Sequence, residues 1–351
     1  APKDIKNYND WKYYTTKKID VVWSDSLKYT SVSSPALYDN KVIFCDMVGR
    51  INCYDAQKGK ILWEYQLDNS IVSNPVIKNG KVLVFSVDGR AYYFDIATGK
   101  IKWQSKLNFP VIGTPVIHND TAYIGTSEYG LSAIGLNSGN ELWSFKEING
   151  HVESTPVIHG NKLFFTAWDG YLYCMERNSG KLVWKWSEEK PNFYYSPAAC
   201  VPVISGDKIY ITAPNKYVTA VDIATGKTIY HSNQHPSWES IGISENKEYI
   251  YTKGLTDTLF CYKITKDSLN LVWYSILGYG FDTSPSPVIE KNGNVYVPAA
   301  NGFLYCVDAK TGKFKWDYFL SESRMMTPVF PDNESVIISN MDGIIRRIKA
   351  K

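Results

Sequence analysis

Little in this chain points to chemistry, and the gaps are informative. It has five histidines, no G-x-S-x-G stretch and no two adjacent cysteines. Without a nucleophile elbow, nothing in the sequence points to a serine hydrolase. Formal charge is nearly balanced, with 38 basic and 35 acidic residues and no long Lys/Arg block. Neither nucleic acid nor an anionic membrane is implied as a partner. No apolar run reaches the roughly 18 residues that a membrane-spanning helix needs. His231 and His235 have an H-x-x-x-H spacing, which on a helix would place two imidazoles on one face for a metal. The segment His231–Pro236 reads as a loop without a third ligand, so no metal site is expected. His118 and His159 both follow a Val-Ile pair, and repeat register alone accounts for them.

What is abundant is repetition. Lys58-Gly59-Lys60-Ile61-Leu62-Trp63 is echoed by Thr98-Gly99-Lys100-Ile101-Lys102-Trp103, and again by Thr311-Gly312-Lys313-Phe314-Lys315-Trp316. Weaker copies end at Trp143, Trp184, Tyr230 and Trp273, and Trp23 stands ahead of them all. Successive intervals are 40, 40, 40, 41, 46, 43 and 43 residues. A period of this size marks a propeller, a solenoid or an array.

Each repeat reads as four short strands. In the second, they are Ser73–Ile77, Val82–Ser86, Ala91–Asp95 and Ile101–Ser105, separated by Asn79-Gly80, Asp88-Gly89 and Ala97-Thr98-Gly99. These are hairpin signals, because glycine accepts positive φ without a Cβ clash. In the last turn Asp95 is placed to bond the turn amides. The glycines therefore belong to hairpins, and none opens a helix to cradle phosphate. Antiparallel four-strand modules of this length form the blades of an all-β propeller. The first strands recur near Pro35, Pro75, Pro115, Pro156, Pro202, Gly242, Pro287 and Pro328, so there are eight blades. The chain begins on a fourth strand around Asp20–Trp23 and ends on a third, Ile344–Lys349. Pairing these two closes the ring and removes its open edges. Residues 1–16 are expected as a lead-in tail and 17–351 as one eight-bladed domain.

The cysteines fit the same scheme. Cys53, Cys174, Cys261 and Cys306 hold equivalent places in different repeats, too far apart to bridge. They are expected as small buried hydrophobes. Cys45 and Cys53 are the one pair that a hairpin could bring face to face.

Leu304-Tyr305-Cys306-Val307-Asp308-Ala309-Lys310-Thr311-Gly312-Lys313-Phe314-Lys315-Trp316 resembles the pyrroloquinoline-quinone (PQQ) repeat, L-Y-A-L-D-x-x-T-G-K-x-x-W. The likeness recurs from about residue 17 to 350. It implies a blade-docking role for Trp23, Trp63, Trp103, Trp143, Trp184, Trp273 and Trp316. Tyr230 and the Lys266-Asp267-Ser268 turn depart from the pattern. Within this superfamily the chain's length and layout are similar to the non-catalytic, BamB-like eight-bladed members. The resemblance then implies a binding scaffold without catalytic residues or cofactor, acting outside the cytoplasm, in the periplasm or at the cell envelope. A lipid anchor would belong to a segment outside this chain. Its partner would be an envelope protein or a surface glycan, and the chain a monomer. The first alternative is a quinoprotein oxidoreductase or sensor holding PQQ and calcium. No Glu/Asn/Asp set plainly matching that family's calcium ligands is visible. The second is a carbohydrate-binding propeller.

Two features mark where binding is expected. Glu153, Glu239 and Asp282 each lie just before a first strand, with Arg324 in the corresponding connection of the last blade. First strands are innermost, so these charges should gather at the channel mouth. The repeat period also stretches after blades four, five and six. These extensions carry Phe193, Tyr194, Tyr195, Trp238, Tyr279 and Phe281, on the face that also bears the Trp168 turn. Aromatics exposed on loops are common binding anchors.

Overall fold

The computed structural model describes residues 18–107, 109–127, 130–188, 196–232 and 235–350. The expected tail at 1–16 lies outside them, as do Phe193, Tyr194 and Tyr195. Among the described residues every regular element is a β-strand. Blade 1 is Ala36–Tyr38, Lys41–Cys45, Arg50–Asp55 and Ile61–Gln66, hydrogen-bonded in that order. Blades 2 to 7 repeat the order, each an antiparallel four-stranded sheet. In blade 8 the strand Ile19–Ser26 pairs with Ile344–Ala350, which pairs with Ser335–Ser339. Bridges from Met325 to Asn340 and from Val329 to Ile337 supply its innermost member. The N-terminal strand therefore closes the ring of eight, with Ile19 opposite Ala350 and Ser26 opposite Ile344.

First strands are shorter than expected: blade 2 begins at Val76, not Ser73. Pro75 has no N–H for the ladder, and Ser73 and Asn74 turn inward instead. The hydroxyl of Ser73 is buried and donates to Phe85 O, while Asn74 lines the central channel.

Apolar residues collect in the seams between blades. One cluster joins Ile43 and Ile51 of blade 1 to Val82 and Val84 of blade 2. Another joins Leu304 and Cys306 of blade 7 to Ile338 and Ile348 of blade 8.

The repeat phrase describes a joint across six of the eight seams, while Trp316 is buried between blades 7 and 8 in one cluster with Ile338 and Ile348, with no turn glycine beneath it. The indole N–H of Trp63 donates to Ile96 O of blade 2 at 2.8 Å, and that of Trp23 to Ala56 O of blade 1 at 2.9 Å. Trp103, Trp143, Trp184 and Trp273 do the same to Leu136, Arg177, Ile223 and Ala309. The ring of each of these lies over the turn glycine of the next blade. Gly99 has φ of 69°, and a Cβ there would stand 2.8 Å from the Trp63 ring. At Gly312 a Cβ would stand 2.5 Å from Trp273. The glycine is thus required twice, for the left-handed turn and for the indole on top of it. Aspartate holds the turn from below in blades 1, 2, 5 and 7: Asp308 accepts from the amides of Lys310 and Thr311 and from the Thr311 hydroxyl. The Thr311 hydroxyl, with Lys315 beside it, brings the Asp308 carboxyl down to about 2.

The two irregular positions are the halves of one joint. Tyr230 of blade 5 replaces Trp, and the turn it would cover in blade 6 has no glycine. That turn is a tighter hairpin, with Ile264 opposite Leu269 and Thr265 bonded to Ser268. The Tyr230 hydroxyl donates to Tyr210 within its own blade instead.

All six cysteines are buried, outside any disulfide. Cys53, Cys174, Cys261 and Cys306 each stand opposite a Trp on the neighbouring strand, where a small side chain leaves space for the indole. Cys45 and Cys53 do not face each other, because Cys45 pairs with Ile51 and Cys53 with Ile43. Burial pushes the Cys53, Cys174 and Cys261 thiols up to about 12.

Candidate functional site

Connections from fourth to first strands and the turns between second and third strands share one face. They are stitched together by backbone bonds: Trp168 N to His151 O, Ser237 N to Lys216 O, Asp282 N to Leu255 O and Met341 N to Arg324 O. At the centre of the ring is a cavity of about 560 Å³. Its wall is lopsided. Three residues before Pro35, Pro75 and Pro115 stand Val32, Val72 and Ile112, and all three line the cavity. At the same place before Pro156 stands Glu153. Arg324 lines the cavity from blade 8. Below them runs a girdle of short polar side chains. Thr327 N donates to Ser34 Oγ, Ser34 N to Asn74 Oδ1 and Asn74 N to Thr114 Oγ1, blade to blade.

The expected charges do meet at this mouth. Asp282 is 2% exposed and saturated. Its Oδ2 accepts from Lys253 Nζ at 3.0 Å and from Ala300 N at 2.9 Å, and its Oδ1 from Ser284 N at 2.8 Å. Lys253 Nζ also donates to Ser284 O and Ser286 Oγ, and it lies 5.8 Å from the centre of the Tyr279 ring. Desolvation lowers the Lys253 pKa, and the Asp282 carboxylate opposes that. Glu239 sits at a φ of 38°, a left-handed conformation for a non-glycine residue. Its Oε1 accepts from Ala199 N. Burial, helped by the nearby Glu153 charge, raises its carboxyl to about 7. Glu153 accepts the indole N–H of Trp168 at 3.1 Å. Arg324 donates through Nη2 to Pro285 O, and both Asp282 and Glu153 are close enough to favour its charge against the cost of burial.

Lys253 went unnoticed in the sequence, although it leaves a signal there. Its rung on the second strand is held in the other blades by Cys45, Phe85, Gly125, Thr166, Thr212, Pro298 and Ser339. It is the one charge at that register.

Aromatics expected on the face divide. Phe281 is 72% exposed. Trp168 and Trp238 are half-buried on the same face. Tyr279, expected at the surface, is 4% exposed. Its hydroxyl donates to Gly254 O and Thr258 O, and its ring roofs Lys253. The reason is that the stretch after blade 6 is not a loop: the fourth strand continues from Leu269 to Phe281. His231, read as part of a loop, also lies in a strand, Thr228–Ser232, bonded to Thr219. His235 stacks on Phe260 with ring centres 4.6 Å apart.

The donors present do not suit calcium. That ion takes about six to eight oxygens. The Asp282 carboxylate is already filled by N–H donors, and Glu239 is held largely neutral below pH 7. An ammonium and a guanidinium stand among these acids. Among the described residues no cluster of three or more His, Cys, Asp or Glu side chains could hold a metal.

A family model described as outer membrane protein assembly factor BamB matches residues 19–232, 127–260 and 262–351. No curated protein matches the chain. Among solved structures, BamB from Moraxella catarrhalis is 15% identical, with a TM-score of 0.76 over 95% of this chain and 98% of that one. A quinohemoprotein alcohol dehydrogenase from Pseudomonas putida HK5 is 13% identical, with a TM-score of 0.78 over 98% of this chain and 79% of that one. Sqt1 from Saccharomyces cerevisiae is 12% identical, with a TM-score of 0.78 over 93% and 98%. At these identities the likeness is one of fold.

Proposed function

Because the chain belongs to the PQQ-like repeat family described as outer membrane protein assembly factor BamB, we propose that it is a non-catalytic binding propeller of an extracytoplasmic space. It recognises a protein of the cell envelope. The observation that carries this reading is the state of the channel mouth. Its strongest charges are spent on one another, as in the Lys253–Asp282 pair with its four further donors and acceptors. Such a mouth supports architecture rather than turnover. The contact surface is the stitched face around it, which carries Phe281, Trp168 and Trp238. Exposed aromatics on a rigid frame lose little entropy on binding, which favours them as anchors. No helix among the described residues is long and apolar enough to cross a membrane.

The test is cross-linking in envelope extract, comparing the native protein with Trp238→Ser and Phe281→Ser variants of unchanged melting temperature. A discrete adduct that both substitutions abolish is expected. An adduct indifferent to both would remove this face from the account. A carbohydrate ligand would show as glycan binding lost on Trp238→Ala. The quinoprotein reading retains the support of fold neighbours such as the alcohol dehydrogenase, and direct cofactor titration tests it.

A further inference from the structure

We propose that the axial cavity is a binding site for a small zwitterion, an α-amino acid or dipeptide with an apolar side chain. This is independent of any protein partner and would stand if the scaffold reading fell. Three observations carry it. First, Arg324 is only half satisfied. Its Nη2 donates to Pro285 O, while its buried Nε has no hydrogen-bond partner among the described residues. A buried guanidinium donor left unpaired costs stability, and the planar fork of Arg suits a carboxylate. Second, Glu153 lines the same cavity and is exposed to it. The Trp168 indole N–H holds its Oε2, which fixes the carboxylate in place. The two charges favour each other across the space. A simple anion drawn to Arg324 would be repelled by Glu153, and a simple cation the reverse. A molecule carrying both signs satisfies both. Third, above the girdle of short polar side chains the wall carries apolar ones, Val32, Val72 and Ile112 on one side and Met325 and Met326 on the other. A cavity of about 560 Å³ lies in the range that holds small organic ligands. The repeat itself shows that this is local. Where blades 1 to 3 place aliphatic residues, blades 4 and 6 place Glu153 and Glu239, and of these two Glu153 lines the cavity.

Calorimetric titration of the whole chain tests it, with leucine, phenylalanine and leucyl-leucine as probes. Isoamylamine and isocaproate, each carrying one charge, are the controls. Saturable binding of a zwitterion is expected, weakened about tenfold by Arg324→Gln and by Glu153→Gln, the loss of one charge-assisted contact each. The single-charge controls should bind at least as weakly as the variants do. Arg324→Lys keeps the charge without the Nε donor and should fall between. Should Arg324→Gln fail to fold, the exposed Glu153→Gln carries the comparison alone. No saturable binding of any zwitterion at millimolar concentration would overturn the proposal. So would binding that both substitutions leave unchanged, or equal binding of either control.

Discussion

At the scale of single residues, the informative side chains are those that break the register of the repeat. Glu153 interrupts a row of aliphatics, Lys253 a row of small or apolar residues, and Glu239 a backbone conformation. The carboxylates and Arg324 were legible as a cluster because each precedes an innermost strand. Lys253 was not, because its rung lies mid-strand and only the observed pairing shows which residues share it. Glu239 gives a pH prediction. Its carboxyl is raised to about 7, chiefly by burial, against an ordinary value of about 4.3. The folded state therefore holds the proton more tightly than the unfolded chain. Stability from this group is complete below about pH 4 and is lost as pH rises through 7. The span corresponds to up to about 4 kcal/mol. Glu239→Gln retains an acceptor for Ala199 N and cannot ionise. The variant should match the native protein in denaturant unfolding at or below about pH 4 and exceed it at pH 8. Equal stability of the two at pH 8 would contradict the assignment.

At the scale of elements, the unit is the joint between blades rather than the blade. The phrase Thr-Gly-Lys-x-x-Trp is legible as a repeat, yet its Trp and its Gly do not meet within one copy. Every Trp of the repeat except Trp316 docks on the glycine of the following copy, which no single repeat reveals. Trp63 and Gly99 should therefore behave as one device. Gly99→Ala places a Cβ against the indole and forces a left-handed backbone, a loss of about 1 kcal/mol or more. In a double-mutant cycle with Trp63→Ala the two losses should fall well short of additive. Simple addition would mean the ring does not rest on that turn. The same logic explains Tyr230 and the Lys266-Asp267-Ser268 turn, which looked like separate irregularities. The seam between blades 5 and 6 lacks the indole joint and should be the weakest. Hydrogen exchange should show its outer strands, Thr228–Ser232 and Leu269–Phe281, opening before their counterparts in blades 2 and 3.

For the whole molecule, closure governs stability. The strand Ile19–Ser26 supplies the outer edge of blade 8 and carries Trp23 into blade 1. Arg347 reinforces that seam, donating to Ala56 O and Gln57 Oε1 while paired with Asp332. The offset between a first fourth strand and a last third strand made this closure readable from order alone. A chain beginning at Leu27 should melt many degrees lower and aggregate through the exposed edge at Ile344–Ala350. A truncated chain with native melting would show that blade 8 holds without its outer strand.

The same ring supports a cofactor chemistry in some of its fold neighbours, so the central claim is that this one binds rather than turns over. Its most direct test is tryptophan fluorescence and thermal shift of the purified chain titrated with PQQ, with and without calcium. The account predicts no saturable change in either condition up to high micromolar cofactor. A saturable, calcium-dependent response would contradict it and identify the channel mouth as a quinone site.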